Sequence, residues 1–280
     1  MSITIPVVFL AALSLLLALV LVIANRRFWV YEDPRIDTVT DLLPGANCGA
    51  CGQPGCRAFA EVVVAGKAQP SLCTVGGPDT AEEVANFLGI DPGSSIRKVA
   101  RLHCAGGKDV TRQDALYAGY ESCRGAALVA GGPKSCRWGC IGLGDCEIAC
   151  TFGAISMMPN GLPFVNAAKC TACNDCVEIC PKELFTLMPL NQRLLVQCKS
   201  ELEGDDVLEA CKVGCTGCSR CAADAPEGLI TMKNNLPVIN TDMLEQETEL
   251  ATLRCPTNSI VWIDGQQFPE KVRQTTGEES

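Results

Sequence analysis

Residues 135–155, SCRWGCIGLGDCEIACTFGAI, and residues 170–185, CTACNDCVEICPKELF, hold eight cysteines in two groups, joined through the β-like connection NGLPFVNAAK. In the second group Cys170, Cys173, Cys176 and Cys180 precede Pro181, which matches the C-x2-C-x2-C-x3-C-P run of bacterial iron–sulfur proteins. In that run three thiolates on a tight loop reach one iron–sulfur cube, and the fourth, carried onto the next helical turn, reaches the other. The spacing therefore assigns Cys170, Cys173 and Cys176 with Cys150 to one [4Fe-4S] cluster, and Cys136, Cys140 and Cys146 with Cys180 to its partner.

Working outward, the 280 residues leave room for two or three small domains, and 20 cysteines is far above ordinary usage. Disulfides are disfavoured by spacings this tight and by the reducing compartment that the N-terminus implies. Zinc also takes C-x2-C pairs, but it gives no reason for the crossed C-P arrangement. A net charge of −9 argues against a nucleic-acid partner, whose phosphates need a basic face.

Residues 5–24, IPVVFLAALSLLLALVLVIA, carry no charge and are long enough to cross a bilayer as one helix. The preceding MSIT has no positive charge and no small-residue cleavage site follows, so the segment reads as a retained anchor rather than a signal peptide. Arg26 and Arg27 directly after it predict that the soluble domains lie on the cytoplasmic side of the inner (cytoplasmic) membrane, with Trp29 and Tyr31 at the interface.

After this anchor, residues 1–27, comes a small helical domain over 28–79. There Cys48, Cys51 and Cys56 stand on a glycine-rich loop, and Cys73 follows a helical stretch over 57–65; the four make one closed cluster site. Residues 80–132 read as a mainly helical connecting segment. In it TAEEVANFLGI forms an amphipathic helix with Thr80 as cap and Ala85, Phe87, Leu88 and Ile90 inward, and IRKVARLHC is strand-like. His103, the single histidine, has no C-x-x-C-H motif beside it and reads as structural.

The ferredoxin-like unit at 133–192 recurs 75 residues later, over 193–264. Cys136, Cys140, Cys146 and Cys180 fall on Cys211, Cys215, Cys221 and Cys255. Cys150, Cys170, Cys173 and Cys176 fall on Ala225, Glu245, Thr248 and Ala251, so one whole crossed ligand set is absent. The second unit is expected to hold one cluster, through Cys215, Cys218, Cys221 and Cys255, with Cys211 as the alternative to Cys218. Leu229, Ile230, Leu244 and Leu250 are candidate fillers of the emptied position. Cys104, Cys123, Cys198 and Cys211 are left over, with Cys104 and Cys198 read as buried structural thiols after strands. The expected class is α+β: one transmembrane helix, a small helical iron–sulfur domain and tandem bacterial ferredoxin-like domains, followed by a disordered tail over 265–280.

The order of these features resembles the B subunit of the Rnf complex, the ion-translocating ferredoxin:NAD oxidoreductase. The resemblance rests on the N-terminal span, on DPRIDTVTDLLPGANCGACGQPGC with its distant Cys73, on GGPKSCRWGCIGLGDC, and on the C-P motifs. It implies an electron-relay subunit with several [4Fe-4S] clusters, four by the cysteine count above. That subunit would pass electrons between soluble reduced ferredoxin and the other subunits at the membrane. The chain departs from the fuller pattern at Leu143, Ala225, Glu245, Thr248 and Ala251. It has no G-x-G-x-x-G fingerprint, so no NAD or flavin site and no catalytic residue is expected in it. The alternative from another class is a membrane-tethered zinc-binding or structural scaffold.

Overall fold

The computed structural model describes residues 4–28 and 32–268; Trp29, Tyr31 and the tail beyond residue 268 lie outside the described residues. Helix α1, Thr4–Phe28, is one unbroken helix. Its most apolar 18-residue window has a mean hydropathy of 3.2 and is not buried against the rest of the chain, so the helix is long and apolar enough to cross a membrane. Ser14, its internal polar side chain, donates back to the carbonyl of Ala11 at 2.9 Å and so exposes no unpaired hydroxyl.

The first small domain packs α2, Pro34–Leu42, against both α3, Cys56–Val64, and α4, Gly77–Leu88. Asp33 caps α2 by accepting from the amide of Arg35. Val39, Phe59, Val63 and Val84 form a dry core with Cys73. Burial of such side chains contributes roughly 1.5–3 kcal/mol each, little for a domain of this size. Helix α4 begins at Gly77, where Pro78 suits the first turn, rather than at Thr80, and ends on Gly89 in the left-handed region (φ 68°). Ala81, Val84 and Ala85 face inward at helical spacing, while Phe87 and Ile90 are exposed. Val84 places α4, which the sequence reading puts in the connecting segment, against this core.

The segment expected to be a helical connection supplies a strand to the next unit. Strand β1, Lys98–Leu102, pairs antiparallel with β4, Phe185–Pro189, in the register Lys98↔Pro189 to Leu102↔Phe185. Between them lie α5, Cys123–Ala127, α6, Asp145–Ala149, the hairpin of β2, Ile155–Met157, and β3, Pro163–Val165, and then α7, Asp175–Ile179. The second unit repeats the plan. Strand β5, Leu194–Val196, pairs with β8, Ile260–Trp262, and encloses α8, Gly204–Ala210, α9, Arg220–Asp224, the hairpin of β6, Ile230–Lys233, and β7, Leu236–Ile239, and α10, Leu250–Leu253. Helices α6 and α9, strands β2 and β6, and helices α7 and α10 each begin 75 residues apart, so the offset of the cysteines is also an offset of elements.

Backbone hydrogen bonds join the units directly: the amide of Ala105 donates to Gln197, that of Arg112 to Ala210 and that of Lys212 to Val110. In the second unit Leu229 and Ile230 pack with Ala251 where the first unit carries its extra cysteines. Leu250 points outward, and Met243 rather than Leu244 completes the packing. The start of the tail is ordered, against expectation. Gln267 is buried, its Oε1 accepting from the amide of Leu102 (2.9 Å) and its Nε2 donating to the carbonyl of Leu102 (2.7 Å). Gln266 bonds in the same way to Ala167 and Val165. A side-chain amide thus satisfies the free edge of β1 as a further strand would.

Candidate metal centres

Cys48, Cys51, Cys56 and Cys73 line one hollow of about 310 Å³. Asn47 fixes its loop by accepting from the amide of Cys56 at 2.8 Å. A Cβ at Gly55 would come within 2.9 Å of that same Asn47 oxygen, so a side chain there would push Asn47 off this bond. Burial raises the Cys73 thiol, and the amide of Gly76 works against that rise.

Cys150, Cys170, Cys173 and Cys176 line a second hollow of about 330 Å³, as the spacing predicts. The amides of Ala154 and Ala100 point at the sulfurs of Cys150 and Cys170, at 3.3 and 3.5 Å. Burial and the neighbouring cysteines push the Cys176 thiol up to about 12. Cys215, Cys218, Cys221 and Cys255 line a third, of about 310 Å³, which favours Cys218 over Cys211 in the second unit. Burial raises the Cys255 thiol, but the Ser259 hydroxyl at 3.5 Å and three backbone amides together outweigh it and bring that thiol below its usual range.

The fourth hollow, about 380 Å³, brings together a different set of cysteines from the expected one. Cys140, Cys146 and Cys180 line it as expected, but the fourth cysteine is Cys123, and Cys136 stands elsewhere. Buried Asp145, the first residue of α6, is the cause. Its carboxylate accepts from the amides of Cys123 (3.0 Å) and Arg124 (3.2 Å) and from the Ser122 hydroxyl (2.9 Å), which holds the start of α5 over the site. Cys123 therefore fills the gap left by Leu143. Cys136 faces a fifth hollow, together with Cys104, Cys198 and Cys211. Cys104 and Cys198, read from the sequence as buried structural thiols, are thus brought together at one hollow. His103, beside the same hollow, has both ring nitrogens engaged, Nδ1 with the Val196 carbonyl (2.8 Å) and Nε2 with the Thr186 hydroxyl (2.6 Å), and burial holds its pKa below the ordinary value. It is structural, as expected.

What these hollows can hold is constrained by geometry and charge. A zinc ion draws four sulfurs to about 2.3 Å from one point. Among the described residues no group of three or more His, Cys, Asp or Glu side chains is gathered tightly enough for a single ion. The cysteines instead ring open spaces, as a multi-iron cube requires. Beside the Cys170 set, Arg101 is 1% exposed, its Nη2 donates to the Gly265 carbonyl, and its Nε and Nη1 have no partner among the described residues. A buried guanidinium with unpaired donors calls for a nearby anion. A thiolate-ligated iron–sulfur cube is anionic, and the residues fit it.

A fold of this kind, a single apolar helix followed by a file of four-cysteine hollows, is that of a multi-centre iron–sulfur protein. A family model described as "Putative Fe-S cluster" matches residues 43–75, the first of these sites. The chain is 40% identical to the B subunit of the Na(+)-translocating ferredoxin:NAD(+) oxidoreductase complex of Acetobacterium woodii, over 92% of this chain and 78% of that one. It is 38% identical to the B subunit of the ion-translocating oxidoreductase complex of Methanosarcina acetivorans (83% and 88% covered). It is 37% identical to the B subunit of the proton-translocating ferredoxin:NAD(+) oxidoreductase complex of Clostridium ljungdahlii (89% and 88%). The chain belongs to the family of B subunits of these ion-translocating oxidoreductase, or Rnf, complexes.

Proposed function

We propose that this chain is the membrane-anchored electron-relay subunit of an Rnf-type complex, exchanging electrons between reduced soluble ferredoxin and the neighbouring subunits. The two repeated units are then tandem ferredoxin-like domains. Helix α1 is the anchor, and Arg26 and Arg27 at its end keep the remaining chain on the cytoplasmic face of the inner membrane. Four [4Fe-4S] sites are assigned, to Cys48, Cys51, Cys56 and Cys73; to Cys123, Cys140, Cys146 and Cys180; to Cys150, Cys170, Cys173 and Cys176; and to Cys215, Cys218, Cys221 and Cys255.

The observation that carries this reading is the adjacency of these sets within rigid, dry cores. Helix α6 packs on α7, and burial first, then Cys140, Cys123, Cys180 and Cys176 around it, raise the Cys146 thiol. Bound clusters would supply reversible one-electron chemistry. The chain's own groups hold and tune them. Cysteines ligate, backbone amides directed at sulfur stabilise charge, and Leu102, Leu184 and Phe185 exclude water at the Cys140 hollow. The NAD step falls to another subunit.

The test is a titration of the anaerobically purified complex with reduced ferredoxin, followed by electron paramagnetic resonance. Signals of reduced clusters in this chain, appearing before NAD is reduced, are expected; clusters that stay oxidised while NAD is reduced would overturn the relay.

Arg101 supplies a second check. Replacement by methionine keeps the volume but removes the positive charge beside Cys170. The midpoint potential of that cluster should then fall by tens of millivolts, because the reduced form carries the additional negative charge. A redox titration that finds no centre shifted would contradict the charge assignment.

A further inference from the structure

Cys104, Cys136, Cys198 and Cys211 line the fifth hollow, about 340 Å³, between the two repeated units. Three of them are less than one-tenth exposed. Each unit contributes an equivalent pair. Cys104 follows β1 and Cys198 follows β5, the opening strand of each unit, while Cys136 and Cys211 stand 75 residues apart ahead of each unit's cysteine loop.

Their surroundings repeat as well. The amide of Cys140 donates to the Cys104 sulfur at 3.4 Å, and the amide of Cys215 donates to the Cys198 sulfur at 3.3 Å. Gly139 closes a turn on the carbonyl of Cys136, and Gly214 closes one on that of Cys211, both at 3.1 Å. The Thr111 hydroxyl adds a contact to the Cys211 sulfur at 3.5 Å. The hollow is therefore an approximately two-fold site, built where the repeats meet.

We propose that these four thiolates hold a fifth iron–sulfur cube, which bridges the two ferredoxin-like units; this rests on the reading that the other hollows hold such cubes. Gly106 keeps the space open. A Cβ there would lie 2.7 Å from the Thr111 hydroxyl and 3.1 Å from the Cys211 sulfur, with the Cys104 sulfur at 3.6 Å.

Lys134 supplies the charge argument. It is 7% exposed, its ammonium donates to the Gly106 carbonyl at 2.7 Å, and no carboxylate pairs with it among the described residues. Buried without a carboxylate, that ammonium calls for an anion, which a thiolate-ligated cube supplies. The flanking contacts give the centre its place in the file, since Cys140 belongs to the neighbouring set on one side and Cys215 to that on the other.

The test compares iron, sulfide and zinc in the anaerobically purified complex with those in a complex carrying Cys104→Ser and Cys211→Ser together. About 20 iron and 20 sulfide per copy of this chain, after subtraction of the other subunits, are expected in the wild type, and about 16 in the variant, from four of each per cube. A wild-type value of about 16, with or without one zinc, overturns the proposal and does not depend on how the variant folds. If the variant fails to assemble, Thr111→Val leaves all ligands in place. It should shift one cluster's midpoint potential while the iron stays at about 20, and no shift in any of five centres would overturn the assignment. The two readings fail separately: transfer from ferredoxin with about 16 iron removes the bridge alone, and about 20 iron without transfer removes the relay alone.

Discussion

Cys123→Ala and Cys180→Ala are expected to abolish the same cluster signal, each with a loss of about four iron per chain, although 57 positions separate the two residues in sequence. Both line the hollow of Cys140 and Cys146. Cys180 reaches it from the turn after α7, where the amide of Leu184 approaches its sulfur at 3.5 Å. Cys123 reaches it from the start of α5, fixed by Asp145. The cluster of Cys170, Cys173 and Cys176 should survive both changes, despite its closeness to Cys180 in the chain. Asp145→Asn, which leaves every thiol intact, should weaken the same centre. Retention of that signal in Cys123→Ala, with its loss in Cys136→Ala, would reverse the ligand assignment.

The second large effect is on stability. Gln267→Ala should lower the stability of the first repeated unit by about 2–6 kcal/mol, because it leaves both the amide and the carbonyl of Leu102 buried without partners, at roughly 1–3 kcal/mol each. Leu102 is itself fully buried, so water cannot easily replace the lost bonds. The variant should be cut by protease near β1 at lower urea concentration than the wild type. Unchanged protection would mean that the edge of β1 is satisfied in another way.

How far the sequence could be read follows from the range of the interactions. Cys48, Cys51, Cys56 and Cys73, and likewise Cys150, Cys170, Cys173 and Cys176, were legible because short loops and the C-P spacing fix them locally. The 75-residue offset was equally legible, and the elements follow it. Cys123 was not, since its position depends on a buried carboxylate 22 residues away that satisfies three donors at once. Cys104 and Cys198 look isolated in sequence because their common hollow exists only after the segment following β1 pairs with that following β5 through Ala105 and Gln197. The inward face of α4 carries Ala81, Val84 and Ala85 rather than Phe87 and Ile90, because packing on the α2 side, and not hydrophobicity alone, decides which stripe is buried. The tail looks unstructured by composition, yet two side-chain amides supply the partners that an edge strand lacks.

The most direct measurement is a cryo-electron microscopy map of the anaerobically purified complex, at a resolution that separates iron from protein. Cube-shaped density is expected in the hollows of the Cys48, Cys150 and Cys215 sets, with another cube bonded to Cys123, Cys140, Cys146 and Cys180 and a further one between Cys104, Cys136, Cys198 and Cys211. Density joining Cys136 to Cys140 and Cys146, or hollows occupied by single ions, would contradict these assignments.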